Sequence, residues 1–551
     1  MTSRRVLMTC AVAVASCWLC TAPGWAQYVD NSGCVQCHQT APQPNDFCSV
    51  TPAAVWARDD KHRQAFLLLH ESDPADPQRG AGKRELVRRI LGFDLREAFV
   101  DGRYFRMKAD NDVETARKVA TVKACLRCHA TWPKNADAID PRTPPVSLDL
   151  GVSCQACHGP GEKWDLPHRL VAWRAVVPAA KASLGFADCR SSVAKAQLCA
   201  SCHVGDASQE KFVKHEWYAA GHPPLPNFEL STFEAQMPAH WKSLRDKGPF
   251  TFRDGLPPDD GQFANQFAAL ERAGVPSEAI KASYKEANFP EAIAKGLDPS
   301  ADLPHTKNSV VSTAAILETY VQSIGHYASL AAEGKAAWPE LALYDCTACH
   351  HELRSGLGAA SRPRRNHAPG RPPLATWPTS LLPLAMQEAA GKRDFEQDPR
   401  SRQTRHQLRE LDRSLTSRPF GEAALVRDAA APLAVSLSDL AASAANSRFD
   451  DVAAKNAIVF LLDPSRYEAN DYSTARQAAW MIRGIAIDLG MRGADGLFVS
   501  GTNDPLSLTL PSGPDRSVIE NLSRWLPAAG RYDPALFREE LQRVRRGTGL
   551  P

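Results

Sequence analysis

"GVSCQACHGPGEKWDLPHR", residues 151–169, sets two cysteines three positions apart with a histidine directly behind them. Three chemistries use a CxxC pair: a redox disulfide, half of a zinc site, or covalent attachment of a haem. A thioredoxin-type disulfide needs one CxxC in a βαβ setting and no following histidine. Structural zinc wants paired CxxC knuckles at short separation. Neither describes this chain, in which CxxCH recurs at irregular and often long intervals. It stands at Cys34/Cys37/His38, Cys125/Cys128/His129, Cys154/Cys157/His158, Cys199/Cys202/His203 and Cys346/Cys349/His350. CxxCH is the attachment signature of c-type haem. Two thiols bond the vinyl groups on one porphyrin edge, and the adjacent imidazole becomes the proximal iron ligand. The cofactor expected is therefore haem c, five groups, each covalently attached.

The N-terminus agrees with export. Arg4 and Arg5 precede the apolar run "VLMTCAVAVASCWLC" (6–20) and then "TAPGWA" (21–26), so residues 1–26 read as a secretory signal cut before Gln27. The expected location is the periplasm. The alternative is a lipoprotein, since "VAS" before Cys17 resembles a lipoprotein cleavage box. No later stretch approaches the roughly 20 apolar residues of a spanning helix, so no transmembrane span is expected in the mature chain. Of 15 cysteines, Cys10, Cys17 and Cys20 lie in the signal and ten in the motifs. Cys48 and Cys189 remain, as a disulfide or as two thiols. A net charge of +3 carries no nucleic-acid patch, and the cluster "RPRR" (362–365) sits in a Pro/Gly-rich stretch. Partners are expected to be redox proteins and not nucleic acid.

Two parts follow from the composition. Residues 27–355 form an expected pentahaem cytochrome domain, 356–378 a Pro/Arg-rich linker, and 379–551 a helical C-terminal domain with no cysteine and only His406. On this reading a cut after about residue 378 leaves the haems undisturbed. Helical patterning marks 59–71, 309–333 and 473–489, and strand signals are sparse. The expected fold class is mainly α, with short helices and long loops packed on porphyrins that supply apolar surface.

Five of the 16 histidines close motifs, and methionine in the haem part is limited to Met107 and Met237. Histidine–methionine ligation raises a haem potential, so this balance points to low-potential haems with two histidine ligands. His326, on the apolar face of the helix before the fifth motif, is one candidate second ligand. His70 falls near the face of His62 if 59–71 is one helix.

The stretch 151–169 resembles the third motif of the tetrahaem cytochrome c-554 family, where CHGPG is followed by a spacer and His-Arg. The resemblance implies that His168 is the distal ligand of the haem at Cys34/Cys37. "VWARDDKHRQAF" (55–66) is similar to the family segment after the first motif, which maps onto Trp56 and a ligand His62 serving the third or fourth haem. "KHEWYAAGHPPLPNFEL" (214–230) and "CTACHHEL" (346–353) resemble segments of larger multihaem relatives. They imply His215 and His222 as ligands, and after them His351. The fifth motif, the insertion before it and the C-terminal region depart from the tetrahaem pattern. In the tetrahaem relatives the second haem lacks a distal protein ligand, which corresponds here to Cys125/Cys128/His129. Two functions stay open on the residues: an electron carrier with mostly bis-histidine haems, or a redox enzyme acting on a small nitrogen or sulfur compound at a five-coordinate haem.

Overall fold

The computed structural model describes residues 52–70, 85–100, 104–105, 112–132, 148–170, 178–222, 225, 227–240, 268–278, 302–346, 371–391, 394–467, 471–491 and 534–548, with isolated positions that include Cys34, His38, Trp173, Val176 and Cys349. The signal segment, Cys37, Cys48, His350, His351 and His367 lie outside the described residues. The chain is mainly α, as expected. Short helices carry the haem part: α1 (Pro52–Asp59), α2 (Val113–His129), α3 (Cys154–His158), α4 (Ser192–Ala200), α5 (His215–Ala219) and α6 (Leu230–Gln236). Then come the long α7 (Pro304–Ala332) and α8 (Leu382–Ala390), α9 (Pro399–Thr416), α10 (Ala423–Ala445), α11 (Asp451–Leu461) and α12 (Tyr472–Asp488). Among the described residues the one sheet is β1 (Phe99–Val100) antiparallel to β2 (Tyr104–Phe105), with Phe99 opposite Phe105.

Local chemistry sets the helix starts. Asp112 caps α2 by accepting the Thr115 N–H, and Ser191 caps α4 through Ala194. The 59–71 segment is not the single helix its pattern predicts. It forms a 3-10 turn at Lys61–Gln64 and a separate turn at Leu67–His70. The Asp60 carboxylate takes the His62 N–H at 2.9 Å, and the His62 carbonyl accepts Val152 N–H at 2.9 Å from across the chain. A carbonyl committed to a distant segment interrupts the local ladder. His62 and His70 therefore do not share one continuous helical face.

The largest core centres on α7. Val310, Val311, Ala314, Ala315, Ile316, Leu317, Val321 and Ile324 are buried, and so are Ser309, Ser312, Thr313, Glu318 and Thr319 on the other faces. A helix buried all round is a core helix rather than an amphipathic one. Its partners are α10 along much of its length, then α4, α12 and α8. Small side chains allow this closeness: a Cβ on Gly325 would lie 3.0 Å from the Ala430 Cβ. Polar groups on α7 are met from both sides. Ser309 donates to Glu229 at 2.8 Å, Gln197 donates to Glu318 at 2.9 Å, and Asp488 accepts the Thr306 N–H at 2.6 Å.

Packing is thus continuous where composition suggested a break. α7 lies mainly against the C-terminal helices, whereas its apolar face reads from sequence as porphyrin-packing. Residues 351–370 lie outside the described residues, but 371–378 are held in place. The Asp345 N–H donates to Pro373 at 3.0 Å, and Arg371 donates to the Ser417 carbonyl at 2.8 Å. Smaller clusters form the haem part, one around Phe66, Leu95 and Leu126 and another around Trp164, Trp173 and Leu184. No described helix is long and apolar enough to cross a membrane.

The α8 packing has a pH consequence. Burial, reinforced by Asp450, pushes the Glu388 carboxyl up to about 7. Its unfolded value is about 4.3, so the protonated form stabilises the fold fully below about pH 4. That contribution falls as pH rises and is lost by about pH 7. Glu388→Gln should match the parent at pH 4 and exceed it by up to about 3 kcal/mol at pH 8, measured by urea unfolding.

Candidate functional site

The second, third and fourth motifs sit in or at the end of a helix. Cys125, Cys128 and His129 close α2, and Cys154, Cys157 and His158 make up α3. Cys199 is in α4, which passes into a π-helical turn, Ser201–Gly205, that carries Cys202 and His203. Cys346 follows the 3-10 turn Leu341–Leu343 and is exposed, as is Cys349. Cys37 and His350 lie outside the described residues.

The third motif is the hub, and its glycines show why. Gly151 has φ +61°, and a Cβ there would meet the His62 carbonyl at 2.6 Å and the Arg63 carbonyl at 2.5 Å. Gly159, just behind His158, has φ +82°, and a Cβ would meet the Gly185 carbonyl at 1.9 Å. Only glycine allows both left-handed backbone and this approach. Around them Trp56 Nε1 donates to Val152 at 3.1 Å, and Gly161 N–H donates to the buried Gln155 at 2.9 Å. Thr131 accepts the Ser153 N–H at 2.7 Å, which ties the third motif to the end of α2.

The thiols meet in pairs. Cys34 hydrogen-bonds Cys154, and Cys128 hydrogen-bonds Cys202, so motif one adjoins motif three and motif two adjoins motif four. Those bonds, then burial, hold the Cys34 and Cys128 thiols far above the usual range. Burial pushes Cys125 and Cys199 up to about 12. Cys189 donates its S–H to the Cys157 carbonyl at 3.3 Å, while its possible partner Cys48 is outside the described residues.

The imidazoles gather in the same places. His62 and His203 have ring centroids 6.2 Å apart with perpendicular planes. Two metal–imidazole bonds of about 2.0–2.1 Å, plus about 1.1 Å from nitrogen to centroid on each side, give about 6.2–6.4 Å between rings sharing one metal. The observed spacing fits one iron between them. His38, His158, His168 and His240 lie near enough to act on one another electrostatically. Burial, then His168 and His240, lower the pKa of His38. Burial, then His240, His38 and His168, lower His158 to about 4. His129 is lowered by burial and also by His222, whose ring packs against Tyr218 at 5.9 Å. Burial lowers His203 to about 4, its ring stacked 5.6 Å from Phe228. Imidazoles kept neutral in this way are the form that binds a metal.

Nδ1 anchoring recurs. His62 Nδ1 donates to Asp60 at 2.9 Å, His129 Nδ1 to the Ala65 carbonyl at 2.9 Å, and His168 Nδ1 to the Asp165 carbonyl at 2.5 Å. Metal-binding histidines commonly donate one ring N–H to such an oxygen and ligate through the other nitrogen. Burial works against a charged His62, yet the Asp60 bond leaves its pKa raised. The residues present fit a haem with histidine axial ligands. Zinc has less support, because no group of three or more His, Cys, Asp or Glu side chains among the described residues converges on one point.

The remaining candidates lie toward the fifth motif. The His215 N–H donates to Glu340 at 2.8 Å, and Tyr218, one turn later, comes near Cys346. His326 is half-buried on α7, next to Tyr327, which also bonds Glu340. His305 instead bonds Ser231 at 2.7 Å in the α6–α7 contact, and His406 is exposed beside Glu410. His240 was not singled out by the sequence, since no motif surrounds it in "MPAHW".

No curated protein and no solved structure matches the chain. Residues 101–159, which hold the second and third motifs and the loop into Gly159, match the family described as cytochrome c554 and c-prime. That stretch is cytochrome c554-like, and the chemistry it brings is electron transfer by covalently bound haem c.

Proposed function

We propose that the chain is a periplasmic pentahaem c-type cytochrome that passes electrons between redox partner proteins through mostly bis-histidine haems. One observation carries the reading: the His62 ring lies 6.2 Å from the ring of His203, and His38, His129 and His158 each feel the charge of a further imidazole. Haem c supplies reversible one-electron iron chemistry when bound. The chain's own residues attach it, cap it and exclude water. His38, His129, His158, His203 and His350 are the proximal ligands. His62 pairs with His203, His168 with His38, and His222 with His129. His215 or His326 serves the fifth motif.

The pairing at His129 bears on the alternative, a catalyst working at an open iron on the second motif. An imidazole at His222 would fill the position that a substrate needs, which favours the carrier. Export rests on residues 1–26, and a lipid anchor at Cys17 is the alternative.

Haem content tests the reading. Pyridine haemochrome on the purified chain should give five haems, none extractable by acid-acetone. Expression without cytochrome c maturation should give degraded chain, because the haem-part clusters are small. Folded, haem-free protein would overturn the proposal.

A further inference from the structure

We infer that Lys181, with Trp164 as a second donor, binds the propionate groups of the haem at Cys154/Cys157; this rests on the multihaem reading above. Two buried donors carry it. Lys181 is 4% exposed, yet among the described residues no hydrogen bond or ion pair reaches its ammonium. The ammonium lies 5.3 Å from the centre of the Trp173 ring, a contact that offsets only part of the cost of taking a cation out of water. The charge of Asp188 reaches it, but Arg190 already holds both oxygens of that carboxylate, at 2.7 and 2.6 Å.

The Trp164 indole is the second donor. It is 7% exposed, and its buried Nε1–H has no acceptor among the described residues. Buried donors in folded chains are nearly always paired, so an unmet cation and an unmet N–H in one cluster point to an anion there.

Contacts tie that cluster to the third motif. The Phe186 ring lies 5.1 Å from Trp164 and 5.7 Å from Trp173, and it stacks on His158 at 6.3 Å with 28° between the planes. Backbone bonds fix the arrangement. Phe186 N–H donates to the Lys181 carbonyl at 3.0 Å, and Ala187 N–H donates to the His158 carbonyl at 3.0 Å. The turn after the short helix Pro178–Ser183 is thereby pinned to the motif. A haem attached at Cys154/Cys157 has these rings beside its proximal histidine, and its two propionates are its anionic groups. The aromatic rings suit the porphyrin, and the two donors suit the carboxylates.

The test uses the purified holoprotein with its five haems, titrated potentiometrically at several pH values. Lys181→Met should keep five covalent haems, because attachment needs only the CxxCH groups. One of its five potentials should fall, since a positive charge near an iron favours the reduced state. That potential should also rise more steeply as pH falls, because the propionate has lost the cation that kept it ionised. Lys181→Arg keeps the charge and should stay near the parent in both respects. Trp164→Phe keeps a ring but not the N–H, and should add pH dependence to the same potential. Asp188 and Arg190, the other charged groups acting on Lys181, are unchanged in all three variants. A lysine that only packs on Trp173 predicts the parent's potentials and pH profile in Lys181→Met, and that result would overturn the inference alone. If Lys181→Met does not accumulate, a crystal structure of the parent holoprotein decides. The inference requires Lys181 Nζ within hydrogen-bond distance of a propionate oxygen of the third haem. An ammonium bound to water alone, or to the haem at Cys34/Cys37, would overturn it. Fewer than five haems in the parent would overturn the multihaem reading and this inference together.

Discussion

A chain ending after Pro378 is expected to lose its fold around α7 and to fail to accumulate as a five-haem protein. The cut removes α8 to α12, the helices that cover most of α7. Val310, Val311, Ile316, Leu317, Val321 and Ile324 are each at most 1% exposed in the whole chain. Burying such a side chain contributes about 1.5–3 kcal/mol. Even half of the six, laid open, would use up much of the roughly 5–15 kcal/mol that holds a domain together. Buried polar groups lose partners as well, because Thr306 is bonded by Asp488 and Gln477 donates to the Phe228 carbonyl at 2.9 Å. Phe228 itself stacks on His203, so the damage reaches the fourth motif. Haem content and recovery of the truncated chain check this. A soluble truncated protein with five haems and unchanged thermal unfolding would show that the C-terminal helices are dispensable.

Gly159→Ala is expected to destabilise by about 3 kcal/mol or more and to lower haem incorporation at the third motif first. A Cβ 1.9 Å from the Gly185 carbonyl requires backbone to move, and φ +82° adds strain of about 1–3 kcal/mol. The displaced contact is functional in position: Ala187 N–H donates to the His158 carbonyl at 3.0 Å beside it. Gly92→Ala is the control. It also has positive φ, but nothing lies within 4 Å of its Cβ, so it should cost only the local strain. Urea unfolding and haemochrome content of the two variants separate these effects. Equal stabilities would remove the steric account of CHGPG.

What could be read in the sequence was what the chemistry makes contiguous. CxxCH must be local because one porphyrin edge has to meet two thiols and an imidazole, so all five motifs stood out. His62 and His168 could be named as candidates because each lies in a segment that resembles the tetrahaem family. α7 was legible as a helix but misread as amphipathic. Its Ser309, Asn308 and Glu318 positions look solvent-facing, yet Glu229, Glu234 and Gln197 meet them in the packed interior. The stretch 371–378 was read as linker for its prolines, although Pro373 bonds Asp345 and Leu374 is only 2% exposed. The 59–71 pattern broke because the His62 carbonyl serves Val152.

The central claim is that histidine pairs cap the irons, and electron paramagnetic resonance of the oxidised, full-length protein tests it most directly. The account predicts low-spin ferric signals throughout, with no component that shifts on adding nitric oxide. A stoichiometric high-spin signal that nitric oxide shifts, and that persists in His222→Ala, would contradict it and would make the second motif an open site.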